Sequence, residues 1–302
     1  MTEGDPPATP KIIVPFQRAP DGVACQEIVV YLRPETNGVH AESVLFRVFR
    51  TPEWNDQVKL VHLANLPGEF IQKRQVVEQH YAARIEFAQK GAQAFLPSMR
   101  QTFSRFFGIP FEKADLIGAF EALDRLGLTE EELFQLWVPV HDILEIEGQL
   151  IKKTADNVFI VNYDIPALLH KNHAGTDVAS MVFRTTLGYD AFRPAVDVIR
   201  QALIREGLLS ADKVERRVFH WSKGPFEQLL DAQGYLYDVR DQPVAFSELA
   251  FGRFLLDRGW SVATIEDCLA RPFQFGANLF SSTLFATFEE AFHFVQSRSP
   301  LA

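Results

Sequence analysis

Cysteine is nearly absent: Cys25 and Cys268 are the only two in 302 residues. Two thiols build neither a disulfide framework nor a thiolate metal cage, and such sparing use fits a reducing compartment. Positive charge is also short. Thirty Lys and Arg stand against 39 Asp and Glu, a formal net charge of -9. Nucleic-acid phosphates need a basic surface, and no cluster of Lys and Arg here is long, so no nucleic-acid partner is expected. No apolar run is long enough to span a bilayer, and no basic-plus-apolar leader opens the chain. The expectation is a soluble cytoplasmic protein with no membrane contact. G-x-G-x-x-G, Walker A, G-x-S-x-G and H-E-x-x-H are all missing, so no motif names a cofactor or a reaction class.

What the chain has in plenty is phenylalanine, 27 residues against three Met and four Trp. Rigid rings are therefore expected to fill much of the core. Met1 to Pro10 carries three prolines and little apolar content, and reads as a disordered tail. Residues 11–302 read as one α/β (or α+β) body, with a soft internal boundary near 91–147, where a helical segment is inserted. Glu27 to Arg33 and Gln57 to Ala64 read as strands around a helix at Val39 to Phe49, a β-α-β unit most simply parallel. A long helix is expected over Gln72 to Gln89, and helices throughout Phe95 to Val140, with Thr129 and Glu132 forming a capping box. Gln149 to Lys153 and Val158 to Tyr163 read as a hairpin, and Asp177 to Thr186 as a helix. With Glu215 to His220, these strands make an expected mixed sheet of about five, covered by many helices.

Arg217 to Leu230 gathers the most chemically able side chains. It reads as a short strand, a polar turn and a helix start, with Gly224 as N-cap, Pro225 at N1 and Glu227 at N3. A helix N-terminus beside His220, Ser222 and Lys223 suits an anion such as phosphate or carboxylate. His220 is the candidate reactive group, Ser222 the residue expected to orient its imidazole, and Lys223, Gly224 and Arg33 the expected anion holders. Reading these residues as a plain helix-starting turn competes with the functional one.

Three short segments resemble motifs of the nucleoside diphosphate kinases. Arg33-Pro34-Glu35 is similar to that family's Lys-Pro-Asp, His80-Tyr81 to its His-Tyr, and His220-x-Ser222 to the Asn-x-x-His-x-Ser that holds its phosphorylated histidine. The departures are Arg217 in place of Asn, Lys223 in place of the Asp after the Ser, and much longer intervening segments. The resemblance implies a phosphate-handling role for His220.

Other candidates are weaker. His170 and His173 with Asp177 have metal-ligand spacing, but Asn172, Gly175 and Thr176 are expected to end the helix inside the motif, so no metal is assigned. Asp142, Glu145, Glu147 and Asp164 are acidic without a glycine-rich loop beside them. The expected function is binding of a small anionic ligand or a protein partner. The alternative is an enzyme acting on a phosphorylated or carboxylated substrate through His220. That alternative requires Arg33 and His220 to meet in one cleft, within roughly 10 Å.

Overall fold

The computed structural model describes residues 8–33, 36–211 and 218–298. The expected tail up to residue 7, Pro34, Glu35, and the start of the strand at Glu215 with Arg217 lie outside the described residues. Nine strands are present among those described: β1 (Lys11–Val14), β2 (Gln26–Leu32), β3 (Val58–Leu66), β4 (Asp115–Gly118), β5 (Ile143–Ile146), β6 (Gln149–Lys153), β7 (Val158–Val161), β8 (Val178–Thr185) and β9 (Phe219–Trp221). With the helices between them they form a mixed α/β protein of two sheets. No helix among the described residues is long and apolar enough to cross a membrane.

Contacts divide the chain into two compact units. The first is drawn from Met1–Val76, His173–Leu269 and Thr283–Ala302. Its sheet has the order β1-β3-β8-β2-β9, every neighbouring pair antiparallel. β2 and β3 therefore run in the same direction, as the β-α-β reading expects, but β8 lies between them. β8 occupies the segment expected to be the helix Asp177 to Thr186. Val178 to Phe183 are buried without alternation, because the strand is central and covered on both faces, and a short unbroken apolar run carries no period from which to tell strand from helix.

Side-chain alternation then sorts the sheet's two faces. Ile28, Val30 and Leu32 of β2 enter a core with Val44, Leu45 and Val48 of the Val39–Phe49 helix and with Ile199 and Leu203 of the Arg193–Arg205 helix. Phe219 and Trp221 of β9 join the same core. His220, between them, is sent to the opposite face, where its cross-strand neighbour is Tyr31. That face carries the Pro225–Tyr235 helix, whose Tyr235 stacks on Tyr31 at 3.9 Å.

The second unit is Val77–Asn172 with Ala270–Ser282. Its sheet has the order β4-β7-β6-β5, with β4 parallel to β7 and the other pairs antiparallel. The expected hairpin at 149–163 is present as β6 and β7, in this sheet and not beside β2 and β3. The segment expected to be helical throughout contains β4, which is only four residues long. Gly118 at its end is a close-approach position: a Cβ there would overlap the carbonyl oxygen of Ala88. The expected helix over 72–89 is interrupted, because Gln75 takes a positive φ of 52°, leaving helices at Val76–His80 and Ala82–Lys90. Phenylalanine fills the core here as composition suggests: Phe87, Phe95, Phe103, Phe111 and Phe159 form one cluster, with rings such as Phe103 and Phe159 edge to face at 4.9 Å.

Candidate functional site

The site begins with one antiparallel register. β9 pairs with β2 so that His220 stands opposite Tyr31, and the two rings stack at 4.6 Å. Arg33 follows β2, and its guanidinium lies 5.6 Å from the same Tyr31 ring. Both residues thus lie near one aromatic side chain, Tyr31.

The helix that follows supplies the partners. Glu227, Asp231 and Tyr235 are spaced four residues apart on the Pro225–Tyr235 helix and share a face. His220 Nε2 is 2.9 Å from Asp231 Oδ2 and 3.9 Å from Glu227 Oε1. The Asp231 side chain is completely buried, and the imidazole is 11% exposed. Burial pushes the Asp231 carboxyl well above its ordinary range, and the nearby Glu227 carboxylate adds to the rise. Lys223 and Arg33 pull it back. Asp231 therefore sits within the field of Arg33, Lys223, Glu227 and His220 together.

Ser222 has a different role from the one its spacing suggests. Its Oγ accepts the Val29 N–H at 2.8 Å, and the Ser222 N–H donates to the Val29 carbonyl at 3.0 Å. It extends the β2–β9 pairing beneath the helix, fully buried, while Asp231 takes the imidazole. The reason lies in reach: a serine facing the neighbouring strand is satisfied by that strand's backbone first.

Gly224 also differs from the expectation. It has the N-cap position in extended backbone, but a Cβ on it would overlap the Thr283 carbonyl oxygen, and the Phe285 N–H donates to Lys223 O at 2.6 Å. The residue is a glycine because another backbone segment crosses it. The place expected for an external anion is taken by Glu227, whose Oε2 accepts the Lys223 N–H at 2.6 Å. Lys223 Nζ donates to the Trp221 carbonyl at 3.1 Å.

The remaining candidates serve the fold. Asp177 accepts from the Gly68 N–H at 3.1 Å and from Asn65 Nδ2 at 2.9 Å, and His173 Nδ1 accepts the Gly175 N–H at 3.3 Å. Asp164 pairs with Arg84 at 2.7 Å, and Glu147 accepts the Asn278 N–H at 2.9 Å. Among the described residues no group of three His, Cys, Asp or Glu side chains is placed to hold a metal. His80 and Tyr81 form an edge-to-face pair at 4.7 Å within the second unit, whereas Arg33 and His220 belong to the first. Comparison with family models, curated protein sequences and solved structures gives no match for this chain.

Proposed function

We propose that the first unit binds a small anionic ligand, a phosphate or a carboxylate, at His220, Arg33 and Lys223, and acts on it through His220. The observation that carries this reading is the 2.9 Å bond between His220 Nε2 and a completely buried Asp231, with two cations in the field of that carboxylate. An aspartate in this position controls the ring's tautomer. When Asp231 is ionised, the neutral imidazole donates from Nε2 and keeps its lone pair at Nδ1, on the far edge of the ring. When Asp231 is protonated, it donates to Nε2, the ring proton moves to Nδ1, and that lone pair is lost. The ionised pair makes His220 a base or nucleophile, and Arg33 and Lys223 supply the positive charge that holds an anionic group.

A thermal-shift screen of the whole chain against inorganic phosphate, nucleotides, phosphosugars and small carboxylates tests the proposal. A ligand at about 100 times its dissociation constant stabilises the native state by about 2.7 kcal/mol, which appears as a rise in Tm. The rise is expected to vanish in His220→Ala and Lys223→Ala. If no anion shifts the wild type, or if both variants shift like the wild type, the site is elsewhere.

One observation favours a second activity, protein interaction, for the second unit. Trp137 and Val140 are 81% and 86% exposed, although the backbone just before them is firmly held. Lys152, buried, donates from Nζ to the carbonyls of Phe134 at 3.0 Å and Leu136 at 2.6 Å, and burial lowers its pKa to about 8. A large apolar ring displayed by a pinned backbone is the kind of anchor that protein interfaces use.

A further inference from the structure

The imidazole of His220 is bounded on two sides. At its edge, Nε2 meets Asp231 Oδ2 at 2.9 Å. Against its face lies the ring of Tyr31, with centroids 4.6 Å apart and planes 21° from parallel. Tyr31 is itself backed by Tyr235 at 3.9 Å and 16°. Two rings this close to Tyr31 cannot share one of its faces without overlapping, so Tyr31 stands between them. The three rings come from three elements, β9, β2 and the Pro225–Tyr235 helix. Ser180 of β8 ties the end of that helix to the sheet, its Oγ donating to the Tyr235 carbonyl at 2.5 Å. Both tyrosines are buried. With a neighbour on each face Tyr31 can neither tilt nor withdraw, and its plane sets the plane of the imidazole, which the bond to Asp231 alone leaves free to swing.

The stack also acts on charge. The face of an aromatic ring is negative, so it favours a cation over a neutral ring lying against it. Proton uptake at Nδ1 makes the imidazole positive, the charge being shared with Asp231 through the proton on Nε2. Asp231 and Glu227, at 2.9 and 3.9 Å from Nε2, favour this form. Lys223 and Arg33, both in the field of Asp231, oppose it. We propose that Tyr31 is the positioning residue of His220, holding the imidazole plane against Asp231 and favouring the positive ring when Nδ1 takes up a proton. This role rests on His220 as the reactive group proposed above and is independent of the ligand that His220 meets.

Histidine-selective nitrogen NMR of the full chain without ligand, over a pH series, tests the role through the Nδ1 titration of His220. The midpoint is expected to fall by about one pH unit in Tyr31→Leu, which removes the ring, because the positive form loses the face that favours it. In Tyr31→Phe, which keeps the ring and loses the hydroxyl, it should stay close to the wild-type value. A wild-type midpoint retained in Tyr31→Leu would make the ring packing alone, and an equal fall in Tyr31→Phe would assign the effect to the hydroxyl. Either result overturns the proposal. If Tyr31→Leu does not fold, phenylalanines of increasing fluorination at position 31 give the answer. Each fluorine withdraws negative charge from the face at nearly constant shape, so the midpoint should fall stepwise, and a midpoint that ignores the series overturns the role. Because no ligand is present, a failed thermal-shift screen and a failed Tyr31 titration are separate outcomes: the first removes the anion site, the second only the role of Tyr31.

Discussion

Between pH 7 and pH 4 the protein is expected to lose about 3 kcal/mol of folding stability through one side chain, His62. His62 lies on β3 at a register irregularity against β8. It is fully buried, and neither ring nitrogen has a hydrogen-bond partner among the described residues. Burial lowers its pKa from 6.5 to about 4. A backbone group of Val14 lies near enough to favour the imidazolium a little, without meeting hydrogen-bond geometry. The sign follows from proton uptake. The unfolded chain takes up a proton at this residue near pH 6.5, while the folded chain resists it until about pH 4. Stability is therefore intact above the unfolded value and drains away as pH falls between the two. Urea denaturation of wild type and His62→Leu at a series of pH values measures the effect. The gap between them should change by about 3 kcal/mol over this window, and parallel pH profiles would show that His62 is not the source.

Asp231→Asn is expected to leave a better-folded and less reactive protein. Burial disfavours the charged form of Asp231, so the folded-state pKa lies above the unfolded one, and stability falls as pH rises through that range. Replacing the carboxyl by a neutral amide should therefore stabilise the fold, and by more as pH rises. The amide, however, neither fixes the proton on Nε2 nor stabilises the imidazolium that forms as Nδ1 reacts. Acylation of His220 by diethylpyrocarbonate, followed residue by residue by mass spectrometry, should slow by about 100-fold. In the wild type the same rate should rise with pH as Asp231 ionises. An unchanged rate in Asp231→Asn would mean that the carboxylate does not set the state of the ring.

Local signals in the sequence were readable where the chain decides its own structure. The Val39–Phe49 helix falls where its spacing places it, and Thr129 and Glu132 form the expected capping box, Thr129 accepting the Glu132 N–H while the Glu132 carboxylate accepts the Thr129 N–H. Strand β8 was not readable, because its identity is set by the strands on either side of it. Nor was β4, four residues held by packing against Ala88. In the site, His220, Arg33 and Lys223 are distinctive as single residues; His220 and Arg33 lie near the Tyr31 ring, and Lys223 and Arg33 act electrostatically on Asp231. Asp231 itself gives little signal alone. The pointer lay in the spacing of Glu227, Asp231 and Tyr235, a polar and aromatic stripe on a helix buried at most of its other positions. Ser222 misled for the opposite reason: its spacing from His220 is right, and its hydroxyl is spent on Val29.

The account depends on His220, Arg33 and Lys223 forming one anion site, and histidine-selective nitrogen NMR during a titration with inorganic phosphate tests this most directly. The ring signals of His220 are expected to move in a saturable way in the wild type and to stay still in the Arg33→Ala, Lys223→Ala double variant. His220 signals that do not respond to phosphate, or that respond equally without the two cations, would contradict it.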